Sequence, residues 1–519
     1  MLRLGVVDIA VIIVYLVGVT ALGLYFTRRQ RTTRDYFLGG RQLPWWAVTM
    51  SIVATETSAV TVISVPGIAF NPNGGNFTFI QIAFGYFIGR ILLAWLFVPR
   101  LYRGEYFTVY GFLGDRFGHK AQSVAVVAFF ISRILATGIR IFTGALVAKI
   151  AFGLPISVSI IVTGALALTY TVFGGFIAVV WTDVAQFVIY LIGPLVAMIL
   201  IGLKLPGGFG EVFQVGALAD KFQFFNFTLN PTVNYAFFAG LIGGCFLTMA
   251  THGTDQSVAQ RMLACRSEKD SKRSIIASGI TVNLQFLFFL LLGVMLYAFY
   301  QQFEPGAKFD RFDEVFPRFA ITYLPIGFGG LVVAGIFAAA MSTVSSDINA
   351  LANTTVNDLY KRYLKPNAED KHYLYVSKLM TVFWGIAMIL IGIAASGSKQ
   401  TIIDMALQIP SYTFGALLGI FLLGLLTKKA NELGVITGAI VGAITVLLAA
   451  PPWPLNLVFP GILPFLAMHI PAIGNAFLTI NPTLDLHMLK LAWPWYAPIG
   501  CLTTMLVGYI ISRISSSKN

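Results

Sequence analysis

The stretch Ala338 to Asn349, AAAMSTVSSDIN, decides how the rest of the chain is read. It lies late in a long apolar run, Ile326 to Leu351, where a lipid-facing helix would carry Leu, Ile and Val. Instead it offers Ser342, Thr343, Ser345, Ser346, Asp347 and Asn349. On an α-helix, positions 342, 345, 346 and 349 share one face, because steps of three and four residues return to the same side. One or two hydroxyls in a membrane helix usually bond back to their own carbonyls or join neighbouring helices. A whole stripe of them beside an acid points to a dehydrated site for a small cation.

The totals agree with a membrane setting. The chain has 519 residues, 57% hydrophobic and 11% charged, against about 25% charged in soluble proteins. Runs long enough to cross a bilayer, roughly 20 apolar residues, recur throughout. No polar stretch is long enough to bury a soluble core of its own. The net charge of +13 would suggest nucleic acid in a soluble protein. Here the basic residues sit in short loops beside apolar runs, so membrane orientation accounts for them and no nucleic-acid partner is expected. Cys245, Cys265 and Cys501 have no metal-ligand spacing and imply no disulfide framework. The first apolar run has only Arg3 before it and no small-residue cleavage site after it, which reads as a retained helix.

Thirteen spans are expected, at residues 4–26, 44–68, 77–99, 121–151, 155–173, 177–204, 234–252, 273–301, 326–351, 373–396, 401–426, 431–450 and 493–513. The loops at 27–43, 100–120, 253–272 and 352–372 are rich in Arg and Lys; the second of these has Arg100 and Arg103, the third Arg261 and Arg266. The alternate loops are uncharged or carry acids such as Glu304, Asp310 and Asp313. The positive-inside rule then makes the basic loops cytoplasmic, with the N-terminus outside and the C-terminus inside a bacterial inner membrane. Residues 454–478 are apolar but broken by Pro460, Pro464 and Pro471, and are expected as a short interfacial or re-entrant piece.

Ionisable residues inside spans are costly and usually face a cavity or a partner. The second span carries Thr55, Glu56, Thr57, Ser58, Thr61 and Ser64. Two readings are open: an unwound centre that frees carbonyls for an ion or substrate, or a continuous helix with Glu56 paired to a neighbour. The fourth span carries Arg133, Thr137, Arg140 and Gly144 on one face. Two buried arginines there suit a bidentate grip on an anion, and equally suit a structural ion pair. Asp183 enters two turns from the cytoplasmic end of the sixth span, at a depth similar to Ser345 and Ser346. One carboxylate with several hydroxyls suits a monovalent cation, since calcium and magnesium gather more carboxylates or water. The seventh span is short and breaks at Thr248, Thr251, His252, Gly253 and Thr254, with His252 read as a satisfied helix-end residue. Interrupted second and seventh spans, five apart, fit two five-helix repeats of opposite topology.

Several stretches resemble the sodium/solute symporter family: YFLGGRQLPWWAV before the second span, FGGFIAVVWTDVAQ, GTDQSVAQR, IFAAAMSTVSSDINALANTTVNDLYKRY and GIFLLGLLTKKAN. The resemblance implies an all-α polytopic membrane protein with a LeuT-like fold. Its parts would be an extra N-terminal helix at 4–26, a first inverted repeat at 44–204, a second at 234–426 and C-terminal helices at 431–519. It implies a principal sodium site at Ala54, Thr57, Ala339, Ser342 and Thr343. It also implies a possible second sodium at Asp183, Ser342, Ser345 and Ser346. Asp347 departs from the family pattern, and three roles stay open for it: tightening the second site, carrying a proton or releasing ions, or facing a cytoplasmic vestibule.

For substrate, the resemblance implies Ser58, Thr61 and Arg133; Glu56, Gln81, Arg140, Thr251 and Gln408 are added as polar neighbours. Val60–Thr61 stands where galactose carriers hold Glu–Gln, so the galactose pattern is absent. The expectation is a monomeric sodium-coupled symporter of a small organic solute in the lipid bilayer, using one or two Na+ and no organic cofactor. A sugar acid or other organic anion ranks first, then a neutral sugar or polyol, then an amino acid. A nutrient sensor on a transporter scaffold is the rival class, and no enzyme is expected, because no activated nucleophile, zinc motif or acid/base pair is evident.

Overall fold

The computed structural model describes residues 4–26, 32–395, 402–449 and 491–516; the expected interfacial piece at 454–478 lies outside them. The described chain is helical, and its extended pairing amounts to an isolated bridge between Leu43 and Cys265. Every expected span has a helical counterpart. In order these are α1 (Val6–Tyr25), α2 (Trp45–Glu56) with α3 (Ala59–Phe70), α4 (Ile80–Leu96), α5 (His119–Phe152), α6 (Ile156–Lys204) and α7 (Gly244–Gly253). After the short α8 (Gln256–Leu263) come α9 (Glu268–Phe303), α10 (Phe328–Thr354), α11 (Asp370–Ala395), α12 (Ile402–Leu426), α13 (Glu432–Ala449) and α14 (Tyr496–Ser516).

Among the described residues, eight helices are long and apolar enough to cross a membrane unaided, nine if α2 and α3 count as one broken span. The difference from thirteen has local causes. α6 counts once but holds two expected spans; at 1.5 Å per residue its 49 residues would run about 74 Å, far beyond a bilayer core of about 30 Å. The break is at Gly175, φ 53° and ψ −155°, a backbone region open essentially to glycine alone. α5 carries Arg133, Arg140 and Lys149, and α7 has only 10 residues.

α2 and α3 meet at an angle of 65°. The linking Glu56–Thr57–Ser58 segment is polar, and its Glu56 and Thr57 side chains find partners on other helices, Arg90 and Gln285. The N–H groups of Ser58 and Thr61 would, in a continuous helix, bond to the carbonyls of Ala54 and Thr57. They turn instead to Glu56 O (3.0 Å) and Ser58 O (2.9 Å). The unwound reading of the second span is therefore the one the backbone adopts, and it releases those two carbonyls.

α10 is the hub. Its apolar window is 89% buried, against 28% for α1 and 39% for α11. Helix α10 packs against α6, α5, α1, α2, α3 and α11. Every residue from Ala338 to Asn349 is buried, so the polar stripe faces protein on all sides. α4 packs against α7 at very short range. A Cβ on Gly89 would lie 2.6 Å from Cys245 O, so only glycine allows that approach. This contact brings Arg90 of α4 to the break in α2–α3.

Candidate functional site

Four polar clusters lie around the break, and three of them include residues of α10. The first joins α2 to α10. Thr343 Oγ1 donates to Thr55 O (3.3 Å) and Ala339 O (3.2 Å), and Thr55 Oγ1 and Ser346 Oγ lie 3.3 Å apart. Ala54, Thr57, Ala339, Ser342 and Thr343 are all buried. The structure thus joins α2 to α10 through Thr55, Thr343 and Ser346. Thr57 Oγ1 donates to Gln285 Oε1 (3.1 Å) on α9.

The second cluster surrounds Asp183. Ser342 Oγ donates to Asp183 Oδ1 (2.6 Å), and Ser51 Oγ to Oδ2 (2.5 Å). Ser346 and Ser345 turn back to Ser342 O at 2.7 and 3.0 Å. The fourth side is closed by Arg261, whose guanidinium donates to Asp183 Oδ2 (2.7 Å), Ser346 Oγ (2.5 Å), Ser51 Oγ (2.7 Å) and Ser257 O. Sequence reading placed Arg261 among cytoplasmic loop charges. It is instead fully buried, because the chain stops at Gly253, is capped by Asp255 accepting from Ser257 N (3.0 Å), and turns α8 back into the bundle.

The third cluster explains Asp347. Arg133 donates to Asp347 Oδ1 (2.7 Å) and to Asp255, Thr137 Oγ1 donates to Asp347 Oδ2 (2.8 Å), and Arg140 lies 3.8 Å from Oδ2. Arg133, Thr137 and Arg140 thus use their shared face to meet one carboxylate on α10. Gly144, one turn further, packs its backbone against Ala340. In the structure Asp347 is the counter-charge of the α5 arginines.

The fourth cluster holds Glu56. Its partner is Arg90, with His252 Nε2 3.4 Å away. Arg90 also donates to Ser278 Oγ (3.1 Å) and meets His252 Nε2 at 3.0 Å. His252 Nδ1 lies 3.0 Å from Thr251 Oγ1 and 3.3 Å from Thr248 Oγ1, so it is satisfied at its helix end as expected. The α5 arginines form their ion pairs with Asp255 and Asp347, and the neighbour that pairs with Glu56 is on α4. Sequence reading passed over Arg90, although a lone arginine in the apolar run FGYFIGRILLAW carried the same signal as Glu56.

A cavity of ≈ 70 Å³ opens between these clusters, lined by Glu56, Arg133, Arg140, Thr251, His252 and Asp255, with Tyr86 and Pro410 among its apolar wall. Four residues expected near substrate, Glu56, Arg133, Arg140 and Thr251, therefore share it. Ser58 and Thr61 lie beyond the break, on the first turn of α3. Gln81 is placed elsewhere: its amide donates to Thr78 O and Tyr235 O (both 2.9 Å) and accepts from Asn226 N (3.0 Å), pinning the loop before α7. The Gln408 side chain lies outside the described residues. Around the cavity, Glu56, Asp255 and Asp347 are matched in number by Arg90, Arg133 and Arg140.

A broken helix, buried oxygens at its break and a charge-balanced central cavity define a secondary transporter with a LeuT-like fold. The chain belongs to the sodium:solute symporter family, whose model matches residues 36–442. Relatives include the sodium/sialic acid symporter SiaT of Proteus mirabilis, 30% identical over 88% of this chain and 92% of that one. The human sodium-coupled monocarboxylate transporter 2 is 28% identical over 96% of this chain and 82% of its own length. A Na+-coupled sialic acid symporter solved in a substrate-bound outward-open state superposes with a TM-score of 0.82 at 27% identity, over 98% of both chains. Mhp1, a nucleobase-cation-symport-1 transporter, shares the fold at a TM-score of 0.54 and 12% identity. The chain is a sodium-coupled solute symporter in a membrane, and it is not an enzyme.

Proposed function

We propose that the protein imports a small organic anion, a sugar acid or another carboxylate, with sodium. The proposal rests on Arg140. Arg133 is committed to two carboxylates, while Arg140 faces the cavity with Asp347 as far as 3.8 Å away. A substrate carboxylate can approach Arg140 closely without breaking a good ion pair, and a bidentate guanidinium contact is strong. The relatives support the charge: the sialic acid and the monocarboxylates for which they are named are anions. Glu56, which also lines the cavity, favours a hydrogen-bond donor on the solute, so a hydroxylated acid satisfies both. That same residue supports the second reading, a neutral polyol or an amino acid.

Sodium would bind at the carbonyls of Ala54, Thr57 and Ala339 with the hydroxyls of Ser342 and Thr343. Filling this position replaces the helix bonds lost at the break and stiffens α2 against α10, which holds the cavity wall in place for the solute. The two five-helix repeats, 44–204 and 234–426, then rock about the filled site. With the N-terminus outside a bacterial inner membrane, inward sodium movement gains about 2.3 kcal/mol per charge per 100 mV, enough to drive uphill uptake.

Proteoliposomes given a sodium gradient and a panel of labelled sugar acids, monocarboxylates, polyols and amino acids test this reading. Arg140→Gln should raise the KM for an acid on the order of 10- to 100-fold, the value of a charge-assisted hydrogen bond, and leave sodium activation in place. Ser342→Ala should weaken sodium activation on the order of tenfold, equivalent to about 1.4 kcal/mol. Uptake of a neutral solute that ignores Arg140→Gln would transfer the assignment to the second reading. No accumulation of any solute under a sodium gradient would end it.

A further inference from the structure

We infer that Arg261 is a built-in cation that fills the second cation position, so that one sodium, not two, accompanies each solute. This rests on the symporter reading and refines its stoichiometry. The oxygens a second sodium would need are Asp183, Ser342, Ser345 and Ser346. In the structure each of them is already engaged. Asp183 Oδ1 accepts from Ser342, and Oδ2 from both Ser51 and Arg261. Ser346 gives its proton to Ser342 O and accepts an N–H from Arg261 at 2.5 Å. Ser345 gives its proton to Ser342 O.

The guanidinium is held from several directions. It donates to Ser51 Oγ on α2 and to Ser257 O on its own helix, and its carbon lies 5.7 Å from the centre of the Phe176 ring. These contacts link α2, α6, α8 and α10 through one charge. Asp183 and Arg261 cancel, so the cluster is neutral as it stands. A sodium ion entering the same oxygens would put two cations side by side in a low-dielectric interior, where like charges repel strongly. For the ion to bind, Arg261 would have to withdraw, and it has no solvent exposure to withdraw into directly. Arg261 donates to Ser51, Ser257, Asp183 and Ser346 and to neither Ser342 nor Thr343, and the Thr343 hydroxyl donates to Thr55 O and Ala339 O, so the guanidinium does not occupy the position between the broken helix and Thr343.

The experiment measures radiolabelled sodium and solute together in proteoliposomes, with the full-length protein. Sodium-dependent stabilisation against heat in detergent serves as a readout independent of transport, because its dependence on sodium concentration reports how many ions the folded state binds. The wild type should move one sodium per solute and show single-ion stabilisation. Arg261→Gln should open the position, raising the bound count towards two, and Ser346→Ala in that background should return it to one. A wild-type ratio of two that falls to one on Ser346→Ala with Arg261 in place overturns the inference. If Arg261→Gln does not fold, the neutral pair Asp183→Asn/Arg261→Gln replaces it: an unchanged wild-type-like ratio of one supports the inference, and a drop from two refutes it. Complete sodium independence of the wild type would instead remove the symporter reading itself.

Discussion

Replacing Asp347 with alanine leaves Arg133 with Asp255 alone and takes from Arg140 the carboxylate it faces. The carboxylate is fully buried and accepts from Arg133 at 2.7 Å and from Thr137 at 2.8 Å, with Arg140 at 3.8 Å. Removing one member of a buried ion-pair network typically costs about 3–5 kcal/mol, because the remaining charge stays buried and unpaired. At 1.4 kcal/mol per tenfold, this is on the order of a hundredfold to several thousandfold in the folded-to-unfolded ratio. Asp347→Asn keeps the volume and one accepting oxygen, so its loss should be smaller, about 1–3 kcal/mol. The excess positive charge is the cause, so removing a second one should help: Asp347→Ala with Arg140→Gln should be more stable than the sum of the two single changes, by about 0.5–3 kcal/mol. Unfolding in detergent, followed by tryptophan fluorescence, measures all three. Asp347→Ala within about 0.5 kcal/mol of wild type, or strict additivity in the double variant, would refute the assignment of Asp347 as the counter-charge of α5.

Two further outcomes follow from other parts of the molecule. Lys221, in the loop before the seventh span, donates to Asn71 O (2.6 Å) and Phe70 O (3.3 Å) at the end of α3, and burial pushes its pKa from 10.5 down to about 8. The unfolded chain therefore holds this proton more tightly than the folded one between pH 8 and 10.5, and stability gains from this group as pH rises through that window. The difference in melting temperature between wild type and Lys221→Met, scanned from pH 7 to about 10.5, should shift in favour of wild type above pH 8; a flat difference would contradict the burial assignment. Gly175→Ala places a side chain where φ is 53° and ψ is −155°, and strain of about 1–3 kcal/mol is expected at such a backbone. Lower folded yield with unchanged sodium affinity is the expected result, and a stabilised variant would argue against the break between the two halves of α6.

Much of this was readable along the chain, and the reasons differ by residue. The all-helical membrane fold follows from runs of apolar residues, because a bilayer offers no water to satisfy an open backbone. The polar stripe on α10 and the weak point at Thr55–Ser58 were visible because helix period and the cost of buried polar groups are local rules. Asp183 was placed at the right depth by span direction alone. The missed residues share one property. Arg90 was passed over in an apolar span where only Gln81 drew notice, and Arg261 lay in a segment that looked like a basic loop. Nothing within a few residues of either one names its partner.

Sequence alone determined the class of fold and marked the second span and the α10 stripe as its polar segments. These depend on each segment's own preference for lipid or for hydrogen bonds. That the second span breaks, and where, was decided by the backbone. Tertiary structure decided which charge answers which. Glu56 is met by Arg90, Asp183 by Arg261, and Asp347 by Arg133. The last pair is separated by 214 residues. Ion pairs form across a few ångströms of packed helix, and only the packing of α10 against its neighbours brings those ångströms about.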